Sequence, residues 1–142
     1  MSLNPNAIKR FISTVEAFEP RQMLAVTATF TPASGVLGVF GDSLANVIAI
    51  SRNAAGTIFV NNGAVAVQGG TPTVANTSLI QIFGQAGADE LSFNESNGAL
   101  PRGLIQGGSD NDTITTGSGA DQLFGNSGDD FLLGKGGIDF LF

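Results

Sequence analysis

Four nine-residue units run without a break to the last residue, and this fixed period constrains the chain more than any single motif. They are Gly107–Thr115, Thr116–Phe124, Gly125–Leu133 and Gly134–Phe142. Each carries Asp at its sixth place (Asp112, Asp121, Asp130, Asp139) and Ile or Leu at its eighth (Ile114, Leu123, Leu132, Leu141). The first six places are rich in Gly, Asn, Ser and Asp, which tolerate tight or left-handed backbone. The last three are strand-like, and only the middle one has to point inward. A turn plus a short strand is half a coil, so two units close one coil. A disordered linker can share this Gly- and Asp-rich composition, but it has no reason to hold four aliphatic side chains in phase.

Units two apart then stack on the same side, about 4.8 Å apart in the pairing direction. That puts Asp112 beside Asp130 on one edge and Asp121 beside Asp139 on the other. Carboxylates held so close repel by about 1 kcal/mol in bulk water, and by more where partly desolvated. A hard cation removes the repulsion. Carboxylates and turn carbonyls make an all-oxygen shell, which suits Ca²⁺ better than the smaller and geometrically stricter Mg²⁺. The pattern therefore predicts Ca²⁺ as cofactor, with Asp112, Asp130, Asp121 and Asp139 as metal ligands. Gly84–Ser92 is a further unit, with Asp89 sixth and Leu91 eighth. Residues 93–106 count as one more unit plus a five-residue insertion, Phe93–Asn97, read as a bulged loop. In that register Ile105 is eighth and Gly103 stands where Asp belongs. Asp89 is expected as a ligand on Asp112's edge, weaker than Asp130 because the insertion intervenes. No full site is expected between the turn carrying Gly103 and that of Asp121.

On these units, residues 84–142 resemble the RTX (hemolysin-type calcium-binding) repeat family. The resemblance implies a parallel β-roll whose folding is stabilised by Ca²⁺ bound between stacked Asp-bearing turns, in a secreted or cell-surface bacterial protein. Near the start, Phe18-Glu-Pro-Arg-Gln-Met-Leu-Ala25 resembles the LEPR-XLL motif of surface and secreted proteins in environmental bacteria, with Phe18 and Met23 in place of Leu.

Charge follows the same division. Residues 1–83 are nearly balanced, whereas residues 84–142 hold nine of the 12 acids against only Arg102 and Lys135. An acidic segment suits cations and disfavours nucleic acid, which needs a basic footprint. The chain has no Cys and no His. That excludes thiolate and imidazole zinc sites, Ser-His-Asp triads and Cys-His dyads. The apolar runs are short, so no transmembrane helix is expected.

Residues 1–23 hold an expected amphipathic helix over 7–18, with Ile8, Phe11, Ile12, Val15 and Phe18 at helical spacing and Pro20 after them. Residues 24–83 read as β, with stretches at 25–30, 36–40, 47–51, 57–60, 64–68 and 79–83. Asn62-Gly63 is a hairpin signal between two of these, and Asn53–Gly56 a turn before them. This region forms either a small β-meander or irregular solenoid coils.

The expected class is all-β, and the expected function is a calcium-binding β-roll module with a structural or adhesive role rather than catalysis. The alternatives are an accessory repeat domain of a secreted hydrolase, or a fragment of a longer repeat protein. On the sheet carrying Leu123 and Leu141, Phe124 and Phe142 should point outward one above the other, with Phe140 nearby and Phe83 two coils earlier. That strip is an expected surface for self-association. On the opposite sheet Phe93, Phe131 and Leu133 are expected to face outward.

Overall fold

The in-phase aliphatic residues set the path of the chain. A computed structural model describes residues 26–142; the helix expected over 7–18 and the Phe18–Ala25 motif lie outside the described residues. The strands are β1 (Thr27–Thr31), β2 (Val36–Phe40), β3 (Val47–Arg52), β4 (Ile58–Val60), β5 (Val67–Gln68), β6 (Leu79–Gln85), β7 (Glu90–Asn94), β8 (Gly103–Ser109), β9 (Thr113–Thr115), β10 (Gln122–Ser127), β11 (Phe131–Leu133) and β12 (Phe140–Leu141). They form two sheets, ordered β12-β10-β8-β6-β2-β1-β5 and β11-β9-β7-β3-β4.

From β6 onward the chain alternates between the sheets, and each strand pairs in parallel with one laid down a coil earlier. Register aligns the eighth places into two columns. Val39, Ile82, Ile105, Leu123 and Leu141 stack in the first sheet. Ile48, Leu91, Ile114 and Leu132 stack in the second. Within each strand the neighbours of these residues point out, which is the period-two rule for a half-buried sheet. The columns are sealed as far as Ile114 and Leu123; Leu132 is only partly buried and Leu141 is 47 % exposed.

The nine-residue period therefore begins well before the recognisable repeats. Gly41–Ala49 is a cryptic unit, with Gly41 first, Asn46 sixth and Ile48 eighth. Of the two readings for residues 24–83, coils rather than a separate meander describe what is seen, with hairpins added at the upstream end. There β1 runs antiparallel to β2, β4 antiparallel to β3, and β5 parallel to β1. Ala28, Phe30, Ile58 and Val60 fill that end of the core.

Two expectations need correction. Asn62-Gly63 does not close a hairpin between β4 and β5. Residues Asn61–Gly63 form a 3₁₀ turn, only a single Val60–Val65 bridge remains, and β5 crosses to β1. The reason is Asn61, whose side-chain oxygen accepts the Ala49 N–H at 2.8 Å while its amide donates to the Val47 carbonyl at 2.9 Å. It serves the free edge of β3 instead of turning the chain. Phe93 is also not an outward residue of a bulge. It continues β7, aligned with Ile50, and is buried. The extra residues lie in the following loop, 95–102, on the edge opposite Asp89. That loop is tied to β3, because the Arg52 guanidinium donates to the Ala99 carbonyl at 3.0 Å and the Asn97 amide donates to the Arg52 carbonyl at 2.9 Å.

Because Ile82 sits mid-column at 0 % exposure, Ile82→Ala should destabilise the fold by about 2–5 kcal/mol. Leu141→Ala, at a half-open position, should cost under about 1 kcal/mol. Urea unfolding of the two variants side by side checks the ranking.

Candidate metal centre

The turns joining the sheets fall on two edges. One edge holds residues 41–46, 84–89, 107–112 and 125–130; the other holds the loop 95–102, then 116–121 and 134–139. Two features of the repeat shape these turns. At the first place, a Cβ added to Gly84, Gly107, Gly125 or Gly134 would collide with the carboxylate of the sixth-place Asp of the same unit. The absent side chain is thus a cradle for Asp. At Gly128, a fourth place, the backbone is left-handed (φ +138) and an added Cβ would strike the Asp110 carbonyl of the turn above. Stacking distance, as well as dihedral preference, calls for Gly at that position.

The sixth-place side chains form a hydrogen-bonded ladder. Along the first edge, the N–H of Asn46 donates to Asp89 Oδ1 at 2.7 Å, that of Asp89 to Asp112 Oδ1 at 2.9 Å, and that of Asp112 to Asp130 Oδ1 at 2.8 Å. Along the second, the N–H of Gly103 donates to Asp121 Oδ1 at 2.6 Å and that of Asp121 to Asp139 Oδ1 at 3.0 Å. The structure therefore brings all five sequence-predicted residues into two columns: Asp89, Asp112 and Asp130 in one, Asp121 and Asp139 in the other. Asp89 follows Asp112 in direct register. The extra loop does not intervene between them, which removes the ground for ranking Asp89 below Asp130.

Each ladder employs one carboxylate oxygen. The other, Oδ2, is buried without any hydrogen-bond partner in Asp89, Asp112 and Asp121, whose exposures are 2 %, 1 % and 0 %. A buried carboxylate oxygen left unsatisfied is costly. Burial is accordingly the main force on their protonation. It pushes Asp89 up to about 6 from the usual 3.8, against the Asn46 N–H and with help from the Asp112, Asp42 and Asp110 charges. It raises Asp112 against the Asp89 N–H, where the Asp130 and Asp110 charges add, and Asp121 against the Gly103 N–H, the Thr116 hydroxyl and the Gly117 N–H, where Asp139 adds.

Orphaned oxygens, glycine cradles and an all-oxygen donor set fit a hard cation. Among the described residues no cluster of three or more His, Cys, Asp or Glu side chains surrounds one point. Backbone carbonyls of the turns must therefore complete any shell, as in other sites that bind Ca²⁺ through main-chain oxygens.

Sequence reasoning missed the uppermost turn of the first edge, residues 41–46. Asn46 takes the sixth place there and closes the turn on itself. Its Oδ1 accepts the Asp42 N–H at 2.9 Å and its amide donates to Asp42 Oδ1 at 3.2 Å. The signal was Gly41 and Ile48 in phase, hidden because an amide replaced the acid.

A comparison with family models matches residues 106–141 to the RTX calcium-binding nonapeptide repeat, in four copies. Those residues are RTX repeats, and such repeats bind Ca²⁺. No curated protein and no solved structure matches the chain. Among the described residues no helix is long and apolar enough to cross a membrane.

The raised carboxyl of Asp89 gives a pH dependence with a definite sign. The folded state holds its proton up to about pH 6, and the unfolded state releases it near 3.8. In that window the folded state binds more protons, so stability falls as pH rises. Without calcium, the fold should gain stability as pH is lowered from 7 through 6 towards 4. Calcium, which requires the ionised form, should bind less tightly over the same descent. Melting curves at pH 7, 6 and 5, with chelator and with calcium, check both signs.

Proposed function

We propose that this protein is a secreted or cell-surface calcium-binding β-roll with a structural or adhesive role. Its ions lie between stacked turns, held by Asp112 with Asp130, Asp121 with Asp139, and Asp89 with Asp112, together with turn carbonyls. The observation that carries this reading is the set of buried Oδ2 atoms without partners, aligned at coil spacing in a segment that matches a calcium-binding repeat. Calcium, by binding the folded form alone, stabilises it through mass action. Its largest effect falls on the last coil, where the apolar columns are least sealed. Secretion is supported by the usual setting of such repeats.

The outward Phe side chains support a contact surface. Phe124 and Phe142 stack with ring centroids 4.7 Å apart and planes at 6°, and Phe40 stacks on Phe83 at 5.2 Å. Gln106 separates the two pairs in the same column, so the strip is two patches rather than one. Self-association through the Phe124/Phe142 patch in calcium is part of this proposal.

Calcium titration followed by circular dichroism should sharpen the strand signal and raise Tm, with apparent Kd of roughly 10⁻⁴ to 10⁻³ M, the range of extracellular modules. Asp112→Ala, which removes the carboxylate shared by two neighbouring sites, should lose two ions by calorimetry; Asp139→Ala should lose one. A melting temperature indifferent to chelator rules the calcium function out. For the patch, light scattering should show calcium-dependent association that Phe124→Ser with Phe142→Ser abolishes at unchanged ion count; a wild-type monomer at high concentration discards the association.

A further inference from the structure

We propose that Glu95 is a positioning residue for the Asp121/Asp139 calcium site, bolting the turn that carries Asp121 to a loop anchored on β3 before calcium arrives. This rests on the calcium function proposed above. The coil above that turn has Gly103 at its sixth place, so the strand register delivers no carboxylate there. The extra loop 95–102 delivers one by another route. Glu95 Oε1 accepts the Leu100 N–H of its own loop at 2.8 Å, and Oε2 accepts the Ser118 N–H of the turn below at 2.9 Å. The carboxyl group lies flat on Gly117, where any Cβ would collide with it.

The loop is a firm base for such a contact. The Arg52 and Asn97 bonds anchor it to β3, and Leu100 is buried at its far end. The anchoring strand β3 follows the Asn46 turn, which closes by its own amide and needs no ion. Glu95 thus connects a loop anchored on β3 to the first turn on this edge that bears a ladder Asp.

Both oxygens of Glu95 accept a backbone N–H, whereas Asp89, Asp112 and Asp121 each keep an Oδ2 with no donor. That makes it an acceptor for the turn rather than an ion ligand. Charge-assisted bonds of this kind are stronger than neutral ones. The turn they fix also has Asp121 Oδ1 already seated on the Gly103 N–H. Half of the Asp121/Asp139 site is then ordered in advance, and calcium has less chain to immobilise on binding.

The test uses the full chain, with amide exchange by NMR in chelator and calcium calorimetry. In the wild type without calcium, the Ser118 amide should be protected while the amides of turn 134–139 exchange freely. Glu95→Ala should speed Ser118 exchange about tenfold or more. It should also weaken the Asp121/Asp139 site about tenfold, with the ion count at saturation and the Asp89–Asp130 edge unchanged. Gly117→Ala keeps the Glu95 charge but displaces its carboxyl, and should reproduce both effects. An ion lost at saturation in Glu95→Ala would make Glu95 a ligand and overturn the proposal. Weakening in Glu95→Ala but not in Gly117→Ala would assign the effect to charge alone and also overturn it. A normal calcium response with unchanged Ser118 exchange in both variants overturns this proposal only. A wild type that binds no calcium overturns the calcium function and this proposal with it.

Discussion

The contact on which the rest of the structure depends is a carboxylate oxygen meeting the backbone N–H of the coil above. Stacked turns bring acidic side chains within one strand spacing of each other, an arrangement that charge alone opposes. Offering Oδ1 to an N–H at 2.6–3.0 Å orients each Asp and satisfies a turn donor, and in Asp89, Asp112 and Asp121 it leaves the second oxygen buried without a partner. The ladder is therefore also the device that creates the orphaned oxygens. What stabilises the turn geometrically is what makes it electrostatically incomplete.

Beneath the ladder lies a thin hydrophobic column, and the two are coupled through spacing. A strand three residues long can bury only one side chain, so each unit from Gly107 onward contributes a single aliphatic residue to its column. At the upstream end, hairpins and Phe30 thicken that core. There the sixth place of turn 41–46 is an amide, Asn46, since packing no longer relies on an ion. Further along, units consist of little besides turn and column, and there all four carry Asp. Acid content rises where apolar content falls, as expected if ions substitute for buried area as the source of cohesion.

Much of this was legible from residue spacing. The eighth-place aliphatics and sixth-place acids gave the two columns, the two edges and the five candidate ligands by number, and the glycines gave the turns. Two kinds of information were not. Asn46 at a sixth place reads as an ordinary turn residue until the Asp89 carboxylate is seen seated on its N–H. Asn61 reads as half of a hairpin turn until its side chain is seen pairing with β3. Both belong to side chains imitating backbone partners, which leaves no periodic trace. The extra loop was counted correctly in length but put a few residues early, because Phe93 fits a bulge and a strand equally well by composition. Burial against Ile50's column decides it.

The half-coil unit also limits how such a chain can change its length. Adding or removing residues within a turn leaves every downstream eighth place where it was, as the loop at 95–102 demonstrates. Adding or removing one whole unit transfers all downstream strands to the opposite sheet. Inward residues still face inward, but outward pairs such as Phe124 and Phe142 stay together only if the change falls outside them. Removing two units restores both sheets and both edges. Length in this architecture is quantised, with turns as the place for free variation and pairs of units as the step that preserves a surface.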